Sequence, residues 1–166
     1  SPIFTNHITD LRLVGSIVDL GMVSDNTIAQ HTYIHPLQPG DSEVSEMAYE
    51  DRKIPVYAPM AGKIAEANWS APYDPVTKSV QVGEDGQYLL YLQVSCQVTL
   101  RLAHVAGVVG KLAERLPTTP KFDSRTDDVV PPVAFEAGEQ IGWFLIGGDS
   151  LDFGLFNTEP VNDFIN

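Results

Sequence analysis

The sequence predicts an all-β domain, a barrel or sandwich with one short helix as an insertion. Its apolar runs are short and are broken repeatedly by glycine and proline, several of them alternate apolar and polar residues with a period of two, and only one stretch has helical spacing. The chain has 166 residues, and 43% are hydrophobic. That is enough for one domain over residues 1–166 with a real core.

The elements follow in chain order. Residues 11–23 combine β-branched residues with two glycines and read as a short strand and a turn. His31-Thr32-Tyr33-Ile34-His35 is β-prone and reads as a strand. Residues 36–53 are polar and acidic, the composition of a solvated loop. Residues 54–68 read as strand, tight turn and strand, with Pro59 and Gly62 marking the turn. Residues 69–78 carry Ala71-Pro72 and Asp74-Pro75 and read as a loop. Residues 79–84 and 88–104 alternate as strands do, and Gly86 after Glu84-Asp85 marks a hairpin between them. The run from Tyr88 to Val105 is long enough for two strands or one bent strand.

Val108, Leu112 and Leu116 stand four residues apart, which predicts a short amphipathic helix over residues 107–116 that Pro117 ends. Residues 117–132 are polar and proline-rich and read as a loop. Residues 133–156 return to strands, and the tail from Thr158 is acidic. The one cysteine, Cys96, lies in an apolar run without a histidine or lysine beside it, which predicts a buried, inert thiol.

Charge narrows the function classes. Ten Lys and Arg stand against 22 Asp and Glu, a net charge of −12. Such a surface repels phosphate backbones and anionic lipid, so nucleic acid is not an expected partner. No apolar run reaches the ~18 residues of a membrane span. Ser1-Pro2-Ile3-Phe4 lacks the basic and apolar regions of a signal peptide, which leaves a removed targeting segment open.

Three segments carry a resemblance. Pro55-Val56-Tyr57-Ala58-Pro59-Met60-Ala61-Gly62-Lys63-Ile64 resembles the "PVYAPxxGxV" hairpin of LytM-like metallopeptidases. Val98-Thr99-Leu100-Arg101-Leu102-Ala103-His104-Val105 resembles that family's "TxYxHL" strand. Phe135 to Trp143, then Ser150-Leu151-Asp152-Phe153-Gly154-Leu155, resembles "VxxGQxIGxxG" followed by "HxHFE". The order holds from about residue 31 to residue 157. The chain is similar to a catalytically degenerate member of this family, which implies a duplicated hybrid motif of the barrel-sandwich hybrid kind.

LytM-like enzymes hold one zinc with an HxxxD pair and the last histidine of HxH, while the first histidine of HxH and the one in "YxHL" assist. The resemblance therefore implies His31, His35 and Asp152 as metal ligands and His104 as the catalytic residue. His35 stands for the family's aspartate, Asp152 for a ligand histidine and Ser150 for an assisting histidine. His, His and Asp is still a legitimate zinc set, and on a strand His31 and His35 share a face. Ser150, however, cannot shuttle a proton near neutral pH as histidine does. By period two, His104 falls on the same face as the apolar Val98, Leu100 and Leu102.

Three functions remain open at this point: an extracytoplasmic or secreted module that binds peptide or cell wall without turnover, a zinc peptidase with an altered ligand set, or a hybrid-barrel carrier or scaffold. Lys63 fits a carrier lysine poorly, because it lacks a Met-Lys-Met tip and follows the turn glycine.

Overall fold

A computed structural model describes residues 4–19, 23–24, 27–28, 31–71, 73–74, 79–80, 86–117, 120–121, 123 and 125–157. The architecture is mostly β and antiparallel, as the sequence predicts. After a 3₁₀ turn at Leu11–Leu13 come β1 (Val14–Val18), β2 (Val23–Ser24), β3 (Thr27–Ile28) and β4 (Thr32–Pro36). Helix α1 (Asp41–Glu46) and a 3₁₀ turn at Tyr49–Arg52 lead into β5 (Lys53–Tyr57), β6 (Gly62–Ser70), β7 (Tyr73–Asp74), β8 (Ser79–Val80), β9 (Gln87–Gln93) and β10 (Val98–Val105). The chain continues through β11 (Gly107–Val108), α2 (Gly110–Ala113), β12 (Asp127–Phe135), β13 (Gln140–Leu145) and β14 (Leu151–Asn157).

Seven strands form the large sheet in the order β1-β4-β14-β10-β9-β6-β12, and three form a small sheet in the order β11-β13-β5. One buried cluster joins them. It draws Ile54 and Val56 from β5, Ile141 and Phe144 from β13, and Ile64, Leu90, Leu92, Leu100 and Leu102 from the large sheet. Alternation makes this possible: in β5, Ile54 and Val56 point inward while Lys53, Pro55 and Tyr57 do not. The strand β14 runs between β4 and β10, which decides where the site lies.

Several elements differ from the sequence reading. Residues 36–53 hold α1 and a 3₁₀ turn, and Glu43 folds back so that the Gly40 N–H donates to its Oε2 at 3.3 Å. The helix expected over residues 107–116 shrinks to α2, because Gly107 and Val108 pair with Trp143 and Gly142 as a strand. A Cβ on Gly107 would lie 2.1 Å from Trp143 Cζ2, so the indole itself takes up the space of a side chain there. Val108, Leu112 and Leu116 are buried all the same. The loop expected over residues 117–132 gives way to β12 at Asp127, with a bulge against β6 that spans a cis Val130–Pro131 bond. Residues 88–105 form two strands, and β6 extends to Ser70. Cys96 is exposed, not buried. It sits in the β9–β10 turn, where Ser95 Oγ accepts from the Gln97 and Val98 N–H groups at 3.2 and 3.0 Å. The hairpin expected at Gly86 and the tail beyond Asn157 fall in part or wholly outside the described residues.

The close approach of β11 and β13 gives a test. A Cβ on Gly142 would stand 2.2 Å from the Gly107 carbonyl oxygen, whereas a Cβ on Gly110 meets nothing within 4 Å. Gly142→Ala should lower stability by about 1–3 kcal/mol in urea denaturation, while Gly110→Ala should be neutral or slightly stabilising. Equal midpoints for the two variants would show that the two strands are not packed as described.

Candidate functional site

The site lies on the face of the large sheet opposite the core, where β4, β14 and β10 run side by side. Register places Asp152 between Tyr33 of β4 and Ala103 of β10, and Gly154 beside Arg101. Directly paired residues share a face, and a diagonal neighbour remains within reach of a long side chain. Arg101 therefore reaches Asp152 diagonally, and its Nη1 stands 3.2 Å from Asp152 Oδ2. Both groups are largely out of water, with Asp152 only 5% exposed.

His104 arrives by a break in the strand. The β9–β10 register shifts between Leu102 and Val105, and His104 has φ +61°, a left-handed conformation. Val105 thus returns to the core, and the imidazole swings to the Asp152 side. The core-side position that period two gives His104 is corrected by this bulge. Its Nε2 stands 3.6 Å from Asp152 Oδ2, an ion-pair distance, and its Nδ1 meets Gln87 Oε1 at 2.5 Å. The Gln87 amide donates its Nε2 proton to Asp149 Oδ2, which fixes its oxygen toward His104. Asp149 Oδ2 is itself 3.6 Å from His104 Nδ1.

Both ring nitrogens thus face acceptors, an arrangement that favours the imidazolium. The hydrogen bond with Asp152 raises the His104 pKa above its ordinary value. The charges of Asp152 and Asp149 add to this, against burial and the Arg101 charge. For Asp152, burial is the largest influence and pushes its pKa up. The hydrogen bonds and charges of His104 and Arg101 outweigh it, so the carboxyl titrates below its usual range.

The remaining residues singled out in the sequence lie on the same face. His35 is half-buried on β4, and its Nδ1 is hydrogen-bonded to Ser150 Oγ. The His31 ring lies over Gly154, where an added Cβ would stand 3.3 Å from His31 Cδ2. His31, just before β4, and His35 on β4 therefore lie on either side of the position opposite Asp152. Yet among the described residues no three His, Cys, Asp or Glu side chains form a group that could hold a metal ion.

The chemistry at Asp152 explains the misfit with zinc. Its Oδ2 is shared by a guanidinium and an imidazole. One atom is left over, Asp152 Oδ1, which is buried without a hydrogen-bond partner. A single oxygen beside Arg101 is a poor seat for a dication, since the guanidinium repels it.

A cavity of about 310 Å³ opens beside His104, whose ring forms part of its wall with Gln87, Asp149 and Arg52. Arg52 is set by reciprocal bonds: its Nε donates to the Ile146 carbonyl at 3.1 Å, and its own carbonyl accepts from the Ile146 N–H at 2.9 Å. Gly147 and Gly148 line the cavity, and Gly147 has φ +72° with no room for a Cβ beside Val44. Sequence reading passed over Arg101, Arg52, Gln87 and Asp149. Arg101 had a signal: a lone cation inside the alternating Val98-Thr99-Leu100-Arg101-Leu102 strand requires a partner when half-buried.

No protein-family model, curated protein or solved structure matches the chain. No described helix is long and apolar enough to cross a membrane.

The two shifted groups give opposite pH limbs. The raised His104 pKa contributes stability that is complete below its unfolded value near ~6.5 and is lost as pH rises through the folded value. The lowered Asp152 pKa contributes stability present above ~3.9 and lost as pH falls through its folded value. Carbon-detected NMR titration should find His104 titrating above ~6.5 in the wild type and lower in Asp152→Asn. A His104 value unchanged by that substitution would contradict the pairing.

Proposed function

We propose that this chain is a LytM-like domain that binds an extracytoplasmic peptide or cell-wall ligand without cleaving it. The observation that carries the reading is the fate of Asp152. At the position where the family has a ligand histidine, the carboxylate is held by Arg101 at 3.2 Å and faces His104 at 3.6 Å. Fixed cations from the chain thereby take up the oxygen that a metal would need. Ser150, in the place of an assisting histidine, is bonded to His35 and offers no group that exchanges a proton near neutral pH. What remains is a polar cavity of about 310 Å³ with His104 in its wall, a size at the low end for small-ligand sites (~300–1,000 Å³).

A zinc peptidase is the second reading, and one observation favours it. Asp152 Oδ1 is buried and unpaired, on the same sheet face as His31 and His35. A rearrangement that frees Asp152 from Arg101 would then be needed before all three could reach one ion.

Soluble peptidoglycan fragments should bind the protein by calorimetry with unchanged affinity in a chelator, and no new amine should appear on incubation. His104→Gly removes the ring while relieving the left-handed backbone, so it should fold and bind about tenfold more weakly. Turnover that vanishes with a chelator would instead establish the peptidase.

A further inference from the structure

Where the β9–β10 turn meets β6 and β12, the large sheet ends in a groove of about 410 Å³. Register explains its wall. Lys63 of β6 stands between Gln93 of β9 and Ala134 of β12, and directly paired residues share a face. Ile64, Leu92 and Phe135 are buried in the core, so alternation turns Lys63, Gln93 and Ala134 outward. Gly62 lets the turn close down on β6. A Cβ there would stand 2.8 Å from the Gln93 carbonyl oxygen and 3.1 Å from Val94 Cγ1. With Val94 and Ala134 in it, the wall is mostly apolar, and its size falls in the range of small-ligand sites (~300–1,000 Å³).

Lys63 is the one charge in that wall, since no Asp or Glu lies among the described residues that line it. The other described lysines all have carboxylate partners: Lys53 has Glu50, Lys111 has Glu139 and Lys121 has Asp127. Lys63 has no such partner among the described residues, in a chain where acids outnumber bases by 22 to 10.

We infer that this groove binds a small apolar carboxylate, with its hydrocarbon part over Val94 and Ala134 and its carboxylate against the Lys63 ammonium. Charge complementarity selects that class. A neutral apolar ligand leaves the ammonium without a counter-charge, and a cation meets it head on. The acidic chain repels anions at long range, but physiological salt screens this beyond about 8 Å, whereas Lys63 acts at contact. Lysine suits the task because its four-carbon stem can lie along hydrocarbon while the ammonium stays at the water's edge. The groove lies at the end of β10 away from His104, so its ligand does not depend on the cell-wall reading.

Cys96 lines the same groove and is the chain's one cysteine, so its alkylation rate reports occupancy. N-ethylmaleimide labelling is followed against octanoate, octanamide, octylammonium and acetate at low salt. Octanoate should slow the reaction and acetate should not. Octanamide and octylammonium should need about threefold or higher concentrations for the same protection. Lys63→Met should erase the preference for octanoate over octanamide, and Lys63→Arg should keep it. Lys63 is exposed, so both variants should fold. Ala134→Glu, which sets a carboxylate at the position paired with Lys63, should weaken octanoate by a similar factor.

Equal protection by octanoate, octanamide and octylammonium overturns the inference, as does an octanoate preference that survives in Lys63→Met. Absence of protection by octanoate overturns it as well. Protection that rises with protein concentration and ignores octanoate would assign the groove to a second copy of the chain instead.

Discussion

A buried carboxylate must have partners, and the site is organised by that need at Asp152. Taking an ion of this kind out of water costs several kcal/mol after relaxation, and β14 places Asp152 at 5% exposure in the interior of a seven-stranded sheet. Arg101 reaches it diagonally from β10, and His104 reaches it only because the strand bulges and the residue takes φ +61°. A left-handed non-glycine residue costs about 1–2 kcal/mol, so the strain at His104 is held in place by what its ring gains. Gln87 completes the arrangement by offering its oxygen to the other ring nitrogen.

That clamp has two consequences for the site. It places fixed positive charge at the carboxylate, which makes Asp152 a poor seat for a dication. It also turns the His104 ring into cavity wall, next to Asp149 and Arg52. The same strand break therefore sets the internal ion pair and one part of the cavity wall. The reciprocal Arg52–Ile146 bonds and the αL Gly147 hold the opposite wall.

Much of the fold was legible because alternation is local. Ile54 and Val56, Leu90 and Leu92, and Leu100 and Leu102 each point inward as period two requires. What failed depended on partners distant in sequence. Gly107 and Val108 fit a helical pattern, but Trp143 and Gly142 recruit them as a strand. Cys96 sits in an apolar stretch, yet Ser95 makes that stretch a turn. Residues 127–132 carry the prolines of a loop and still pair with β6 around a bulge. At the site, the shared side of His31 and His35 follows from their spacing, while Asp152 joins them through the register of β14 with β4. The contribution of Arg101 does not follow from spacing, because a diagonal contact between β10 and β14 is invisible in either strand alone. Nor could period two foresee that His104 would leave the core face, since one bulge reverses the alternation.

Metal content tests the central claim most directly. Protein purified without chelator, then dialysed against micromolar zinc and buffer, can be assayed by mass spectrometry for metal per chain. If Arg101 and His104 hold Asp152, the wild type should retain well under one zinc per chain, while Arg101→Met, which uncovers the carboxylate, should retain more. About one zinc per wild-type chain, lost in Asp152→Ala and in His31→Ala, would contradict the account and return the site to metal chemistry.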